Sequence, residues 1–191
     1  MCKAPIIGRV KTRLICSGID AATACTLHKQ MATVVIKRAI RLFPGAVTIA
    51  ADQTDHPFFT TFAQPVTAQG EGDLGERMER IANRVIDHSP LLFLGTDSPH
   101  MESSRLTTAV TLAKKYDAVA GPVEDGGYDL ILLTSRKTVT LLQRIEWGSQ
   151  QVWQQTHQRA EEAGINLAAL PLGFDVDSAA DLQRSQSLQW E

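Results

Sequence analysis

Apolar runs that show no polar alternation, separated by helix-length amphipathic stretches, leave this chain few folds to choose from. "LLFLGT" (91–96), "DAVAG" (117–121) and "DLILLT" (129–134) are runs of this kind, as is "AVTIAA" (46–51). A strand with one wet face alternates apolar and polar residues, so strands without alternation are buried on both faces. Between them the period changes. Residues 21–43 read as a helix capped by Asp20, with Leu27, Met31, Val34, Val35 and Leu42 along one stripe. Residues 74–87 repeat Leu74, Met78, Ile81 and Val85 at helical spacing. Further helices are expected over 102–115, 138–144, 149–163 and onward from Ser178, with short strands at 66–69 and 166–171. The expected fold is α/β, a mainly parallel sheet with helices on both faces. At 191 residues, the chain 1–191 reads as a single domain. Sheets of this class bind ligands at the carboxyl ends of their strands, which directs attention to the loops beginning at Asp52, Gly70, Asp97, Pro122 and Leu172.

Charge excludes some partners. Nineteen Lys and Arg against twenty-one Asp and Glu give a net charge of −2, so no bulk positive field exists to hold nucleic acid or an anionic membrane. The apolar runs are too short to span a bilayer, and the N-terminal residues lack the apolar stretch of a signal peptide. A cytoplasmic protein is expected. Cys2, Cys16 and Cys25 are odd in number and form no Cys-x-x-Cys pair, and they read as free thiols.

Any basic site must therefore be local, and "APIIGRVKTRL" (4–14) supplies one, with Arg9, Lys11 and Arg13 in five positions. Lys11-Thr12 mimics the end of a Walker A loop, but Val10 and Pro5 stand where that loop needs glycines, so a P-loop is excluded. "GEGDLG" (70–75) is a literal G-x-G-x-x-G. Glu71 and Asp73 would put carboxylates against a pyrophosphate, whereas Asp73 and Glu76 fit a helix capping box. Dinucleotide binding is not expected. Three loops are acidic at strand ends: "GTDSPH" (95–100) carries Asp97, "GPVEDGGY" (121–128) carries Glu124 and Asp125, and "GFDVDS" (173–178) carries Asp175 and Asp177. The last two oppose each other if the segment is extended. Hard oxygen ligands of this kind suit Mg²⁺ or Mn²⁺.

Read together, "KAPIIGRVKTRL", "QGEGDLGERM", "LFLGTDSPHM", "AGPVEDGGYDLILL", "EWGSQQVWQQT" and "FDVDSAADL" resemble a bacterial glycosyltransferase-A-like family. That family was long catalogued as a domain of unknown function. It is also described as a radical-SAM- and selenodomain-associated transferase and as an arsenosugar-biosynthesis glycosyltransferase. It is similar in fold to guanylyltransferases of molybdenum-cofactor and coenzyme F420 biosynthesis. The resemblance implies a nucleotide-diphospho-sugar transferase fold. Lys3, Ala4, Pro5, Gly8, Arg9, Lys11 and Arg13 match its first, phosphate-holding loop, and Gln69 and Gly70 its second motif. Asp97 matches the acidic residue after the middle strand and is the expected metal ligand, with Asp177 as the second carboxylate. Glu124 and Asp125 fall in the E-D-G-G-Y block. They are the expected catalytic pair, Asp125 as general base or acceptor-orienting group or else as a turn carboxylate.

On this reading the protein is a metal-dependent glycosyltransferase with a nucleotide-diphospho-sugar donor and a small-molecule acceptor. A nucleotidyltransferase joining a nucleoside triphosphate to a phosphorylated metabolite is the alternative, and a non-catalytic nucleotide-sugar binder is a third. In either reaction, Arg and Lys with a bound cation would offset charge growing on phosphoryl oxygens. Trp147 is assigned either to ligand stacking or to packing. Two departures from the family stand out. Only Met1 and Cys2 occupy the place of the family's apolar first strand, so a truncated first strand is expected, from a misassigned start or a trimmed chain. Asp129 replaces a common aromatic and is expected to narrow or alter the acceptor side.

Overall fold

The helix with the clearest cap forms where it is expected. In the computed structural model, which describes residues 1–188 and 190, the Asp20 carboxylate accepts from the amides of Ala22 and Thr23 and opens α2 (Ala21–Leu42). Helix α1 (Thr12–Cys16) precedes it. Then follow β1 (Ile49–Ala51), α3 (Pro57–Thr60), β2 (Val66–Ala68), α4 (Leu74–Val85), β3 (Leu91–Leu94), α5 (Ser103–Leu112), β4 (Ala118–Pro122) and β5 (Tyr128–Leu133). A 3₁₀ segment (Arg136–Leu142), α6 (Val152–Glu162), β6 (Leu167–Ala169) and α7 (Ala179–Gln186) complete the described chain.

The chain divides into two compact units: Met1–Ala68 with Thr96–Ser103 and Asp175–Glu191, and Gln69–Gly95 with Ser104–Phe174. In the first unit β1 and β2 pair in parallel, Ile49 opposite Val66. Cys2 adds a single parallel bridge to Ala51, its amide donating to the Ala50 carbonyl at 2.9 Å. Of the first strand, this bridge is what is seen among the described residues. The small sheet packs on Ala32 and Ile36 of α2 and on Phe58, Phe59 and Phe62. Phe58 meets Phe59 and Phe62 edge-on, at centroid distances of 5.4 and 5.1 Å, the geometry favoured by ring quadrupoles.

In the second unit the strand order is β3-β5-β4-β6. Here the structure corrects the expectation of a mainly parallel sheet. β5 runs antiparallel to both β3 and β4, and β6 alone pairs in parallel, with β4. The reason is local: β4 and β5 are joined by residues 123–127, and a parallel pair needs a crossover of about a dozen residues or more. The α/β class stands, with a mixed sheet. Leu130, Ile131, Leu132 and Leu133 are all buried, as are Ala118, Val119 and Ala120 on β4, which is why neither strand shows polar alternation. No helix among the described residues is long and apolar enough to cross a membrane.

Candidate functional site

Residues 3–13 have few internal backbone bonds and take their shape from what holds them. At the start of the loop, the Ala4 amide donates to Asp52 Oδ1 at 2.6 Å. His28, buried on α2, places Nε2 3.0 Å from the Lys3 carbonyl oxygen. A carbonyl can only accept, so His28 Nε2 carries the proton. A turn follows, with the Arg9 amide donating to Ile6 at 3.0 Å and Gly8 at φ +78°, where a side chain is disfavoured. Pro5 lies just before this turn. Lys3, Ile7, Gly8 and Arg9 are exposed, while Ala4 and Val10 are buried. The exposed residues Ile7, Gly8 and Arg9 thus lie between two buried anchors, Ala4 and Val10.

At the far end, Lys11 is unusual on two counts. Its backbone is left-handed, at φ 49° and ψ 42°, where it caps α1, a region non-glycine residues seldom enter. Its ammonium is almost buried, at 5% side-chain exposure, and sits among three oxygens: Asp97 Oδ1 at 2.8 Å, Asp177 Oδ1 at 3.2 Å and the Val176 carbonyl at 2.7 Å. Burial by itself would lower the Lys11 pKa, but the Asp97 and Asp177 carboxylates more than offset it and the net shift is upward. Arg13 donates to the other Asp177 oxygen, Oδ2, at 2.7 Å. The acidic pair divides as an extended segment requires: Asp177 takes Lys11 and Arg13, and Asp175 takes the Ser98 hydroxyl. The Val176 amide donates to the Asp97 carbonyl at 2.9 Å, which ties the two acidic segments side by side. Arg38, buried on α2, donates to the Pro99 carbonyl at 2.9 Å and supports the turn after Asp97.

Lys11, Arg13, Asp97 and Asp177 are therefore brought together, while Lys3 and Arg9 lie on the exposed part of the same loop. Among the described residues, no group of three or more His, Cys, Asp and Glu side chains has metal-holding spacing. The two carboxylates and one carbonyl around Lys11 Nζ are nevertheless an all-oxygen set already converging on one cation, the donor chemistry a hard divalent ion accepts.

The other expected site residues belong to the second unit. Glu124 and Asp125 are exposed on the β4–β5 turn. Asp125 Oδ1 accepts the Gly127 amide at 2.9 Å, the turn-carboxylate role weighed from the sequence. The Glu124 amide donates to Gly173 at 3.1 Å. Gly126, at φ +88°, is pressed so close to the backbone of Gln150 that a Cβ would not fit, and its carbonyl accepts from the Trp153 amide at 2.7 Å. Gln69 is buried, its carbonyl taking Arg80 Nη1 at 2.6 Å, and Gly70 (φ +78°) lies against that guanidinium. Asp73 and Glu76 form the expected capping box at the start of α4, which accounts for Asp73 of the G-x-G-x-x-G without a nucleotide, while the Glu71 carbonyl accepts from Arg80 Nη2 at 2.9 Å. Trp147 packs: its indole lies on Gly75, where a Cβ would collide with it, and edge-on to Tyr128 at 5.9 Å.

Asp129 has a partner that the sequence does not announce: its carboxylate is 3% exposed and takes Arg105 of α5 through Nε at 2.8 Å and Nη2 at 3.2 Å. Arg105 also donates to the Pro171 carbonyl at 2.6 Å. Burial pushes the Asp129 carboxyl up to about 6, with Arg105 pulling the other way. A buried pair 24 residues apart has no local signal. The absence of side chains at Gly121 and Gly173, whose Cβ atoms would crowd this pair, is the trace it leaves in the sequence.

Residues 22–149 match a family described as "uncharacterized protein conserved in bacteria (DUF2064)". The chain belongs to that family. No curated protein matches it in sequence. Among solved structures, a protein from Desulfovibrio desulfuricans G20, provisionally named a nucleotide-diphospho-sugar transferase, superimposes with a TM-score of 0.84 at 27% identity, over 94% of this chain and 81% of its own. CMP:2-keto-3-deoxy-manno-octonic acid synthetase in complex with CTP gives a TM-score of 0.59 at 14% identity, over 82% and 86%. Molybdopterin-guanine dinucleotide biosynthesis protein A from Archaeoglobus fulgidus gives 0.53 at 11%, over 80% and 84%. The fold of this DUF2064 member is that of the nucleotide-diphospho-sugar transferases, and the two more distant structures share it.

Proposed function

We propose that this protein is a metal-dependent glycosyltransferase that takes a nucleotide-diphospho-sugar and a small-molecule acceptor. The observation that carries this reading is the convergence of Lys11, Arg13, Asp97 and Asp177 at the end of a loop whose remaining cations, Lys3 and Arg9, are exposed. Departure of a nucleoside diphosphate leaves charge on phosphoryl oxygens. Side-chain cations held before the reaction stabilise that charge without reorganising. The chemistry of the oxygen set fits Mg²⁺ or Mn²⁺: Asp97, Asp177 and the Val176 carbonyl would hold the ion, which supplies charge neutralisation at a diphosphate. The Ala4 and Gly8 segment, with Pro5 limiting its freedom, orients the donor. Gln69 and Gly70 complete the proposed nucleotide-contacting set. Asp125 is the proposed general base toward the acceptor, and Glu124 its partner in the catalytic pair.

The likeness to a CTP-bound synthetase and to a guanine dinucleotide biosynthesis protein favours a second reading, nucleotidyl transfer from a nucleoside triphosphate. The products separate the two: a nucleoside diphosphate from a sugar donor, or pyrophosphate from a triphosphate. The first experiment is a thermal-shift panel of nucleotides and nucleotide-sugars, with and without Mn²⁺. A ligand present at about 100 times its Kd stabilises by about 2.7 kcal/mol. The expected outcome is stabilisation by one nucleotide-sugar class that needs Mn²⁺ and is lost in Asp97→Asn. Full metal-stimulated activity in Asp97→Asn overturns the site assignment.

A further inference from the structure

The place proposed for the divalent ion is the place where the Lys11 ammonium sits. Its Nζ is within 2.7–3.2 Å of Asp97 Oδ1, Asp177 Oδ1 and the Val176 carbonyl. Two cations cannot share that point, because like charges so close in a partly buried site repel strongly. Of the two cations near this point, Lys11 is the one that contacts all three oxygens and would have to leave for another cation to enter. Asp97 and Val176 are joined by a backbone hydrogen bond at 2.9 Å, and Asp177 is held by Arg13 at 2.7 Å. Lys11 reaches the cage through a flexible four-carbon stem, so its ammonium can swing away without moving the backbone.

We propose that Lys11 and the divalent cation are alternative occupants of one oxygen cage, so that metal entry releases the Lys11 ammonium toward the anionic ligand on the same loop. This rests on the metal reading above and adds how that metal is regulated. Lys11 leaves protonated, so no proton is exchanged. The cage trades a single charge for a double one, and the displaced charge joins Lys3 and Arg9 on the loop that meets the diphosphate. Metal and diphosphate then bind with positive coupling through one side chain. Without an anion to receive it, the lysine competes with the metal and holds its affinity down.

The test is Mn²⁺ binding, measured by calorimetry and by electron paramagnetic resonance of the free ion, for the wild type and for Lys11→Met, which keeps the apolar stem and removes the charge. Lys11→Met should bind Mn²⁺ about tenfold more tightly, or better, in the absence of nucleotide. Adding a nucleoside diphosphate should tighten Mn²⁺ binding more in the wild type than in the variant. Equal or weaker Mn²⁺ binding by a folded Lys11→Met overturns the exchange while the metal reading stands. No Mn²⁺ binding by either protein, with or without a nucleoside diphosphate, overturns both. The lysine Nζ resonances of the wild type, followed through a Mg²⁺ titration, decide the matter should Lys11→Met not fold. A protected Lys11 ammonium signal should be present without Mg²⁺ and lost at saturation. A signal that is unaffected, or absent from the start, refutes the exchange.

Discussion

Replacing Arg105 by Met would leave the Asp129 carboxylate buried with no cation beside it. Asp129 is 3% exposed and draws two of its hydrogen bonds from the Arg105 guanidinium, which is itself 14% exposed. Removing one partner of a buried pair costs about 3–5 kcal/mol, because the remaining charge keeps its desolvation penalty. At about 2–4 °C per kcal/mol for a chain of this size, Tm should fall by about 6–20 °C. The deficit should also depend on pH. Burial raises the Asp129 carboxyl to about 6 in the folded wild type, against the pull of Arg105, while an unfolded Asp titrates near about 3.9. A carboxyl raised on folding lends stability below its unfolded pKa and loses it as pH rises through its folded one. Wild-type stability should therefore carry a declining contribution between about pH 4 and 6. Without Arg105 the carboxyl rises further, so the variant's deficit is larger at pH 8 than at pH 5. Differential scanning fluorimetry across pH 4.5–8.5 reads both effects, and Arg105→Met/Asp129→Leu should recover most of the loss. A deficit equal at both ends of the range, or one under about 1 kcal/mol, refutes the assignment of a buried, Arg-dependent charge.

Gly75→Ala should destabilise by about 1–3 kcal/mol, because the new methyl would meet the Trp147 indole and come within 2.6 Å of the Leu142 carbonyl; urea denaturation followed by tryptophan fluorescence reads both the loss and the displaced ring. Asp73→Ala removes the capping box of α4 and should cost about 0.5–2 kcal/mol; if Asp73 instead served a bound ligand, stability would be unchanged and ligand shifts would disappear.

How far the sequence could be read follows from how local each signal is. Helix α2 and its Asp20 cap, the Asp73–Glu76 box and the Ser178 cap of α7 are all legible, because each is written within four residues. Strand boundaries are off by a residue or more in both directions, with β3 ending at Leu94 and β4 running on to Pro122, because the last ladder bond is set by the partner strand and not by the residue types. Helix α1 escaped notice because it has five residues, starts from a left-handed lysine and has no side-chain cap. The four-residue α3, opened by His56 and Pro57, is shorter than any periodicity can show. The direction of β5 is set by the length of one turn, a constraint the apolar pattern does not carry. In the site, the family resemblance already paired Asp97 with Asp177, but the Lys11 ammonium between them was not legible, because 86 residues separate Lys11 from Asp97 and 166 from Asp177. The burial of Asp129 was not legible because its partner Arg105 lies on another element.

The anchoring of the first loop has a mechanical consequence. Asp52 and His28 hold it at Ala4 and Lys3, and Asp177 holds it at Lys11 and Arg13. The stretch between, with Ile7 64% exposed and Gly8 left-handed, behaves as a bridge deck slung from two piers. Load placed at mid-span is felt at the abutments, and releasing one abutment slackens the whole deck. An anion settling near Arg9 and a cation arriving at Asp97 would in this way sense each other along one short taut length of chain, with no domain movement needed to carry the message.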